Sequence, residues 1–161
     1  PFVTLLEVHK LMYFMQEAGE PLRLDYAKAP YGPYAQNLRH VLRQIEGHLI
    51  SGYADGGDKP TKEIELVPGA INDARELLAG ASDSKSRFER VAALVAGFET
   101  PFGLELLATV HWVATRGAAS TFEQAIEATY AWGDRKKQFT PQQIRIAYER
   151  LQQEAWLPAA A

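Results

Sequence analysis

Residues 48–67 read HLISGYADGGDKPTKEIELV, and the fold turns on them. In EIELV, Glu63 and Glu65 fall on one side of an extended chain while Ile64 and Leu66 fall on the other, the alternation of a strand with one wet and one buried face. ADGGDKPTK supplies a turn, with Gly56 and Gly57 able to take positive φ. HLIS is the partner strand. The stretch follows a helical pattern directly, so it reads as a wing beside a helix. From Glu46 to Val67 the chain carries the carboxylates Glu46, Asp55, Asp58, Glu63 and Glu65 against Lys59 and Lys62. That sign is wrong for a wing that grips DNA.

Upstream, APYGPYAQNLRHVLRQIEG (29–47) is read as a Pro-Gly-Pro turn running into a helix. Tyr34, Leu38, Val41, Leu42 and Ile45 recur at helical spacing, and Gly47 is the stop. EPLRLDYAK before it is an extended or irregular link. TLLEVHKLMYFMQEA (4–18) opens with Thr4 and Glu7 at capping-box spacing. Its polar stripe is narrow (Glu7, Lys10, Glu17), as expected of a central helix. Downstream, a short helix over AINDARELLAG is joined by a polar SDSKS segment to an amphipathic helix. That helix turns Phe88, Val91, Leu94, Val95 and Phe98 inward. Pro101 breaks the pattern, and FGLELLATVHWVATR follows with Glu105, Thr109, Trp112 and Arg116 on its polar side. Ser120 and Glu123 have the spacing of a cap for TFEQAIEATYAW. GDRKKQF is a basic loop, and Thr140-Pro141 starts a last helix with Ile144, Ala147, Tyr148 and Leu151 inward. The expected fold is mainly α (α+β): a multi-helix bundle with one small antiparallel hairpin and a winged-helix-like N-terminal half.

The 161 residues include 20 acidic and 17 basic side chains, for a formal charge of −3. One domain, 1–161, accommodates that length. The start at Pro1 without an initiator Met suggests excision from a longer protein. The absence of cysteine excludes a disulfide scaffold and a Cys-ligated zinc, and points to a cytoplasmic setting. No apolar run approaches the ~20 residues of a membrane span, so no membrane partner is expected. The acidic balance argues against direct nucleic-acid binding.

Catalytic signatures are absent from the pattern. The histidines (His9, His40, His48, His111) form no metal-ligand spacing, and no nucleophile elbow, phosphate loop or dinucleotide fingerprint occurs. No metal or other cofactor and no catalytic residue is expected, and the chain reads as non-enzymatic. His111, four residues after Leu107, reads as a hydrogen-bonded core histidine. Gln36, Asn37, Arg39, His40, Arg43 and Gln44 could form a base-reading helix face, so a winged-helix DNA-binding transcriptional regulator is the alternative function. YAWGDRKKQF mixes Trp132 and its aromatic neighbours with cations, a composition that suits an interface as well as a core-packed connection.

KLMYFMQEAGEPLRLDYAKAPYGPYAQNLRHVLRQIEGHLISGYADG, FETPFGLELLATVHWV and DRKKQFTPQQIRIAYERL together resemble the C-terminal domain of DarG antitoxins, over nearly the whole chain. YGPYAQNLRHVL and FGLELLATVHWV carry the strongest likeness. The Leu-x-Tyr-Phe helix followed by a Tyr-Gly-Pro turn is also similar to a broader group of antitoxin domains. The resemblance implies a full-length protein with an N-terminal macrodomain that removes ADP-ribose from DNA. It implies a toxin partner, DarT, that uses NAD to ADP-ribosylate thymidine in single-stranded DNA. It further implies that this domain binds and silences that toxin directly. No hydrolase residue and no interface motif carries over position by position.

On this reading the acidic wing faces a cationic DNA groove, with carboxylates in place of phosphates and an aromatic ring in place of a base. The expected partner contacts are Asp55, Asp58, Glu63 and Glu65 with Tyr53, then Tyr31 and Tyr34 at the Gly-Pro turn, then Trp132. Solubility of an edge hairpin would account for the same carboxylates.

Overall fold

The computed structural model describes residues 2–53, 57 and 59–158. Thr4 caps helix α1 (Leu5–Glu17): its hydroxyl accepts from the Glu7 amide, and the Glu7 carboxylate accepts from the Thr4 amide at 3.0 Å. This is the capping box read from the sequence, a motif worth about 1 kcal/mol. Just before the cap, Phe2–Thr4 forms a strand, β1, that the sequence pattern does not announce.

The wing is present. β4 (Ile50–Ser51) and β5 (Glu63–Leu66) pair antiparallel, and β1 pairs with the other side of β5, giving the order β1-β5-β4. β5 is therefore the central strand, not an edge. Ile64 is buried while Glu63 and Glu65 are exposed, as the alternation requires. Leu66, expected inward, is 52 % exposed at the strand's end. Gly52 turns the chain beside β5 at φ +95°, where a Cβ would meet the Glu63 carbonyl oxygen at 2.6 Å. Only glycine fits there.

A second hairpin replaces the expected irregular link and the start of the second helix. β2 (Tyr26–Ala29) pairs with β3 (Gly32–Ala35), and α2 begins only at Leu38, running Leu38–Ile45. Tyr34 is thus a strand residue. Pro33 has no N–H to donate, which a two-stranded ribbon with free outer edges tolerates. Asn37 locks the hairpin to α2, its amide donating to Arg23 O and accepting from Asp25 N.

Six helical segments follow: α3 (Ala70–Ala79), α4 (Ser82–Val95), α5 (Pro101–Thr115), α6 (Phe122–Trp132), a 3₁₀ turn (Asp134–Gln138) and α7 (Pro141–Gln153). The mainly α class stands, with two small antiparallel sheets. SDSKS is the first turn of α4, not a join. Phe88 is 50 % exposed, whereas Val91, Leu94, Val95 and Phe98 are buried as expected. The box at α6 is Thr121 with Gln124, one residue past the expected pair. Thr140 and Pro141 open α7 as read, with Gln143 completing a box.

The core has two main parts, and α1 runs through both. Its start, Leu5, packs with Leu24, Ala35, Leu38, Leu42, Ile50, Tyr53 and Ile64 beneath the wing. Further along, Tyr13 and Phe14 enter the larger cluster built on α4, α5 and α7. α5 is buried from Gly103 to His111 and again at Val113. Glu105 and Thr109, expected on a polar side, are therefore inside, at 1 % and 0 % exposure. Lys10 of α1 is likewise buried.

His111 is a core histidine, as expected. Its Nδ1 lies 2.6 Å from the Tyr13 hydroxyl, which itself accepts from Arg116 at 3.0 Å. The Tyr13 proton is thus directed at Nδ1, and a second proton on that nitrogen would face a donor. Burial first, and then the Arg116 charge, push the His111 pKa down to about 4, with a backbone hydrogen bond at Trp156 opposing. In the unfolded chain the ring titrates near its ordinary value of about 6.5, so below that pH the unfolded state holds the extra proton. Stability from neutral His111 is complete above about pH 6.5 and declines towards pH 4, by about 3 kcal/mol over the window. Urea unfolding at pH 7 and pH 4.5 should show a loss in the wild type that His111→Gln largely lacks. Parallel losses in the two proteins would refute the assignment.

Candidate functional site

The outer face of the wing is built by three strands. Opposed residues of an antiparallel pair share a face, so Glu65 stands beside Phe2 on β1 and Ser51 on β4, and Glu63 stands beside Thr4. Glu63, Glu65 and Phe2 are all exposed, Phe2 by 54 %. Two carboxylates and an aromatic ring thus share one solvent-facing patch. Because β5 is central, protection of a sheet edge does not explain its acidity.

Tyr53 does not belong to that patch. It is 1 % exposed, packed beneath the sheet with Leu5, Leu38 and Ile64, and its amide donates to Glu46 at 3.2 Å. Its expected partner contact is corrected to a core role: the turn at Gly52 carries the chain back under β5. Phe2 supplies the exposed aromatic ring instead. Sequence reasoning missed Phe2 because a three-residue strand ahead of a helix cap leaves no periodicity to read. Asp55 and Asp58 lie outside the described residues.

Tyr31, Tyr34 and Trp132 come together around the β2–β3 hairpin. Tyr34 stacks on His9 with ring centres 4.4 Å apart. Tyr31 at the hairpin tip carries the Arg135 guanidinium 4.1 Å over its ring. Trp132 is half-buried: its Nε1 donates to Ala29 O at 2.8 Å, and Lys28 Nζ sits 4.7 Å over its ring. It clasps the hairpin rather than presenting an open face. A cavity of about 340 Å³ lies between the hairpin and the root of the wing, lined by Leu5, Leu6, His9, Lys10, Tyr31 and Tyr34 with Ala29, Pro30 and Pro60. Pro60 comes from the wing turn, so the wing and the tyrosine pair meet at this cavity.

A buried charge cluster stands behind the hairpin. Glu105 accepts from Lys136 Nζ at 2.7 Å, Arg135 at 2.9 Å and Gln138 at 3.4 Å. Lys136 is fully buried. Lys10 Nζ donates to Pro33 O at 2.9 Å. Burial chiefly, with the Lys136 charge, lowers the Lys10 pKa to about 7, and Glu105 opposes the shift. Burial also pulls Lys136 down, against the pull of Glu105. The signal available in sequence was the apolar surround of α1 and α5, which leaves a charged residue no wet stripe to occupy. Among the described residues no three His, Cys, Asp or Glu side chains gather as a metal-binding set. None of the described helices is long and apolar enough to cross a membrane.

No known family model matches the chain. Over 146 residues, 91 % of its length, it is 42 % identical to a Thermus aquaticus protein named DNA ADP-ribosyl glycohydrolase. Over 92 % of its length it is 36 % identical to proteins of that name from Mycobacterium bovis and Mycobacterium tuberculosis. The chain spans 40 % to 44 % of these relatives. Their names are consistent with the DarG family that the sequence resembles. They also correct the non-enzymatic reading, since the proteins matched over nine tenths of this chain are named as enzymes.

Proposed function

We propose that this chain is the toxin-binding part of a DarG-type DNA ADP-ribosyl glycohydrolase. It neutralises a DNA-modifying ADP-ribosyltransferase by direct contact, occupying the groove that holds single-stranded DNA. In the full-length protein the inhibitory contact and the removal of ADP-ribose from DNA then belong to one polypeptide, acting before and after the modification.

The observation that carries this reading is the wing face, where Glu63 and Glu65 stand exposed beside the Phe2 ring. Residues two apart on a strand project to the same side about 6.7 Å apart. Carboxylates at that interval offer a DNA groove a short row of negative charges, and the ring offers it a base-like plane. Grooves for single strands combine cations with stacking aromatics, so both parts find complements. The half-exposed Tyr31 and Tyr34 flank the cavity next to the wing and are a second contact under the same proposal.

Titration of the chain into the cognate toxin, with thymidine-containing single-stranded DNA as competitor, tests it. One-to-one binding that the DNA displaces is expected. Binding indifferent to the DNA would move the contact out of the groove. Failure to bind the toxin, with retention of duplex DNA on a steep salt slope, would replace the proposal with a winged-helix regulator.

A further inference from the structure

Lys10 is 2 % exposed, lines the cavity between wing and hairpin, and donates to Pro33 O. An ammonium group has three donors. The rest of the cavity wall is apolar or aromatic, with prolines at positions 30 and 60 and the rings of Tyr31, Tyr34 and His9. The charged groups around Lys10 are Lys136 and Glu105, with Arg135 bound to the same Glu105 carboxylate. Its titratable neighbour on α1 is His9, stacked on Tyr34, with Nδ1 accepting from the Ala35 amide. Glu105 thus pairs directly with Lys136 and the half-exposed Arg135, and Lys10 feels that carboxylate only through longer-range attraction. Such a cluster is completed by an anion that arrives with its own apolar cover.

We propose that the cavity binds a free small monocarboxylate with an aromatic or branched apolar body. The carboxylate takes the Lys10 ammonium, and the body lies among the His9–Tyr34 stack, Tyr31 and the two prolines. A volume of about 340 Å³ is near the small end of ligand sites, which run from roughly 300 to 1,000 Å³. Apolar walls with one cationic side chain cannot solvate a phosphate dianion, but they suit a single carboxylate. Because the Lys10 pKa is lowered to about 7, the acid must keep this amine protonated to hold its ion pair. Affinity therefore falls as pH rises through that value. The proposal does not rest on the toxin contact at Glu63 and Glu65 on the wing, although Tyr31 and Tyr34 belong to the cavity wall and to the second contact alike.

The ¹⁵N-labelled chain, titrated by NMR with phenylacetate, indole-3-acetate, their neutral amides and plain acetate at pH 6 and pH 8.5, tests the site. Expected is binding of the two aromatic acids at pH 6, at least tenfold tighter than their amides, with shifts centred on His9, Lys10, Tyr31 and Tyr34. The preference for acid over amide should shrink at pH 8.5, and Lys10→Met should abolish it. The pH comparison in the wild type decides the matter even where that variant fails to fold. Equal affinity of acids and amides at pH 6, no binding by any probe, or acetate binding as tightly as the aromatic acids would each overturn the proposal.

Discussion

Replacing Glu105 with Gln should cost about 3–5 kcal/mol of folding stability at pH 7, the range seen when one partner of a buried ion pair is removed. Glu105 is 1 % exposed and receives Lys136, Arg135 and Gln138. The amide is nearly isosteric, so packing is kept and the loss is electrostatic. Lys136, with no exposure at all, then loses its paired counter-charge, and Lys10 loses the carboxylate whose attraction favours its ammonium form. Both amines respond by releasing protons in the folded state while the unfolded chain keeps them up to about pH 10.5. The sign follows: in the variant the unfolded state binds more protons, so the deficit is largest at neutral pH and shrinks as pH rises towards 10.

Urea unfolding at pH 7 and pH 9.5 measures both parts of that expectation. The double variant Glu105→Leu with Lys136→Met should recover most of the loss, because a well-packed apolar pair often equals or betters a buried ion pair. A Glu105→Gln protein within 0.5 kcal/mol of wild type at pH 7 would show that water, not Glu105, solvates these amines. The consequence reaches the tyrosines. Arg135 is held by Glu105 on one side and lies over Tyr31 on the other, so the same substitution should loosen the hairpin tip.

This cluster also marks where sequence reading stops. Capping boxes at Thr4 and the Thr140-Pro141 start were legible because their chemistry closes within four residues. The wing was legible because alternation in EIELV and a glycine-rich turn are local. Lys10 and Glu105 were assigned to polar sides of their helices because periodicity places a charged residue opposite the apolar stripe. It cannot see that another element covers that side. The element that covers Glu105 is the 3₁₀ turn some thirty residues later, whose cations read as a solvated basic loop. The β2–β3 hairpin was missed for a related reason. Tyr34, Leu38 and Leu42 are spaced by four, and the spacing continues backward across a strand-to-helix junction that happens to preserve it. At the candidate site, Glu63, Glu65, Tyr31 and Tyr34 were visible as residue types. Phe2 was not, since its place beside Glu65 comes from long-range strand pairing alone.

Reversing both wing charges, Glu63→Lys with Glu65→Lys, should weaken toxin binding a hundredfold or more while leaving the fold intact. Close charge pairs across an interface couple by about 1.5–7 kcal/mol, and reversal replaces attraction with repulsion. Folding is spared because the cross-strand neighbours of these carboxylates are Thr4, Phe2 and Ser51. Among the described residues neither carboxylate makes an ion pair that the change would break, and exposed substitutions of this kind usually stay within about 0.5 kcal/mol. The salt dependence separates this from simple loss of shape. Wild-type affinity should fall as salt rises, through screening of the carboxylates against a cationic groove. The reversed protein, whose lysines are repelled by that groove, should lose this slope or invert it. Phe2→Ala tests the ring by itself and should weaken binding without touching the slope. Tyr53→Ala should do the opposite of all of these, destabilising the wing through its core before any contact with the toxin is considered. Should the double reversal bind as tightly as wild type with the same slope, the acidic face is not the contact, and Tyr31 and Tyr34 become the residues to substitute.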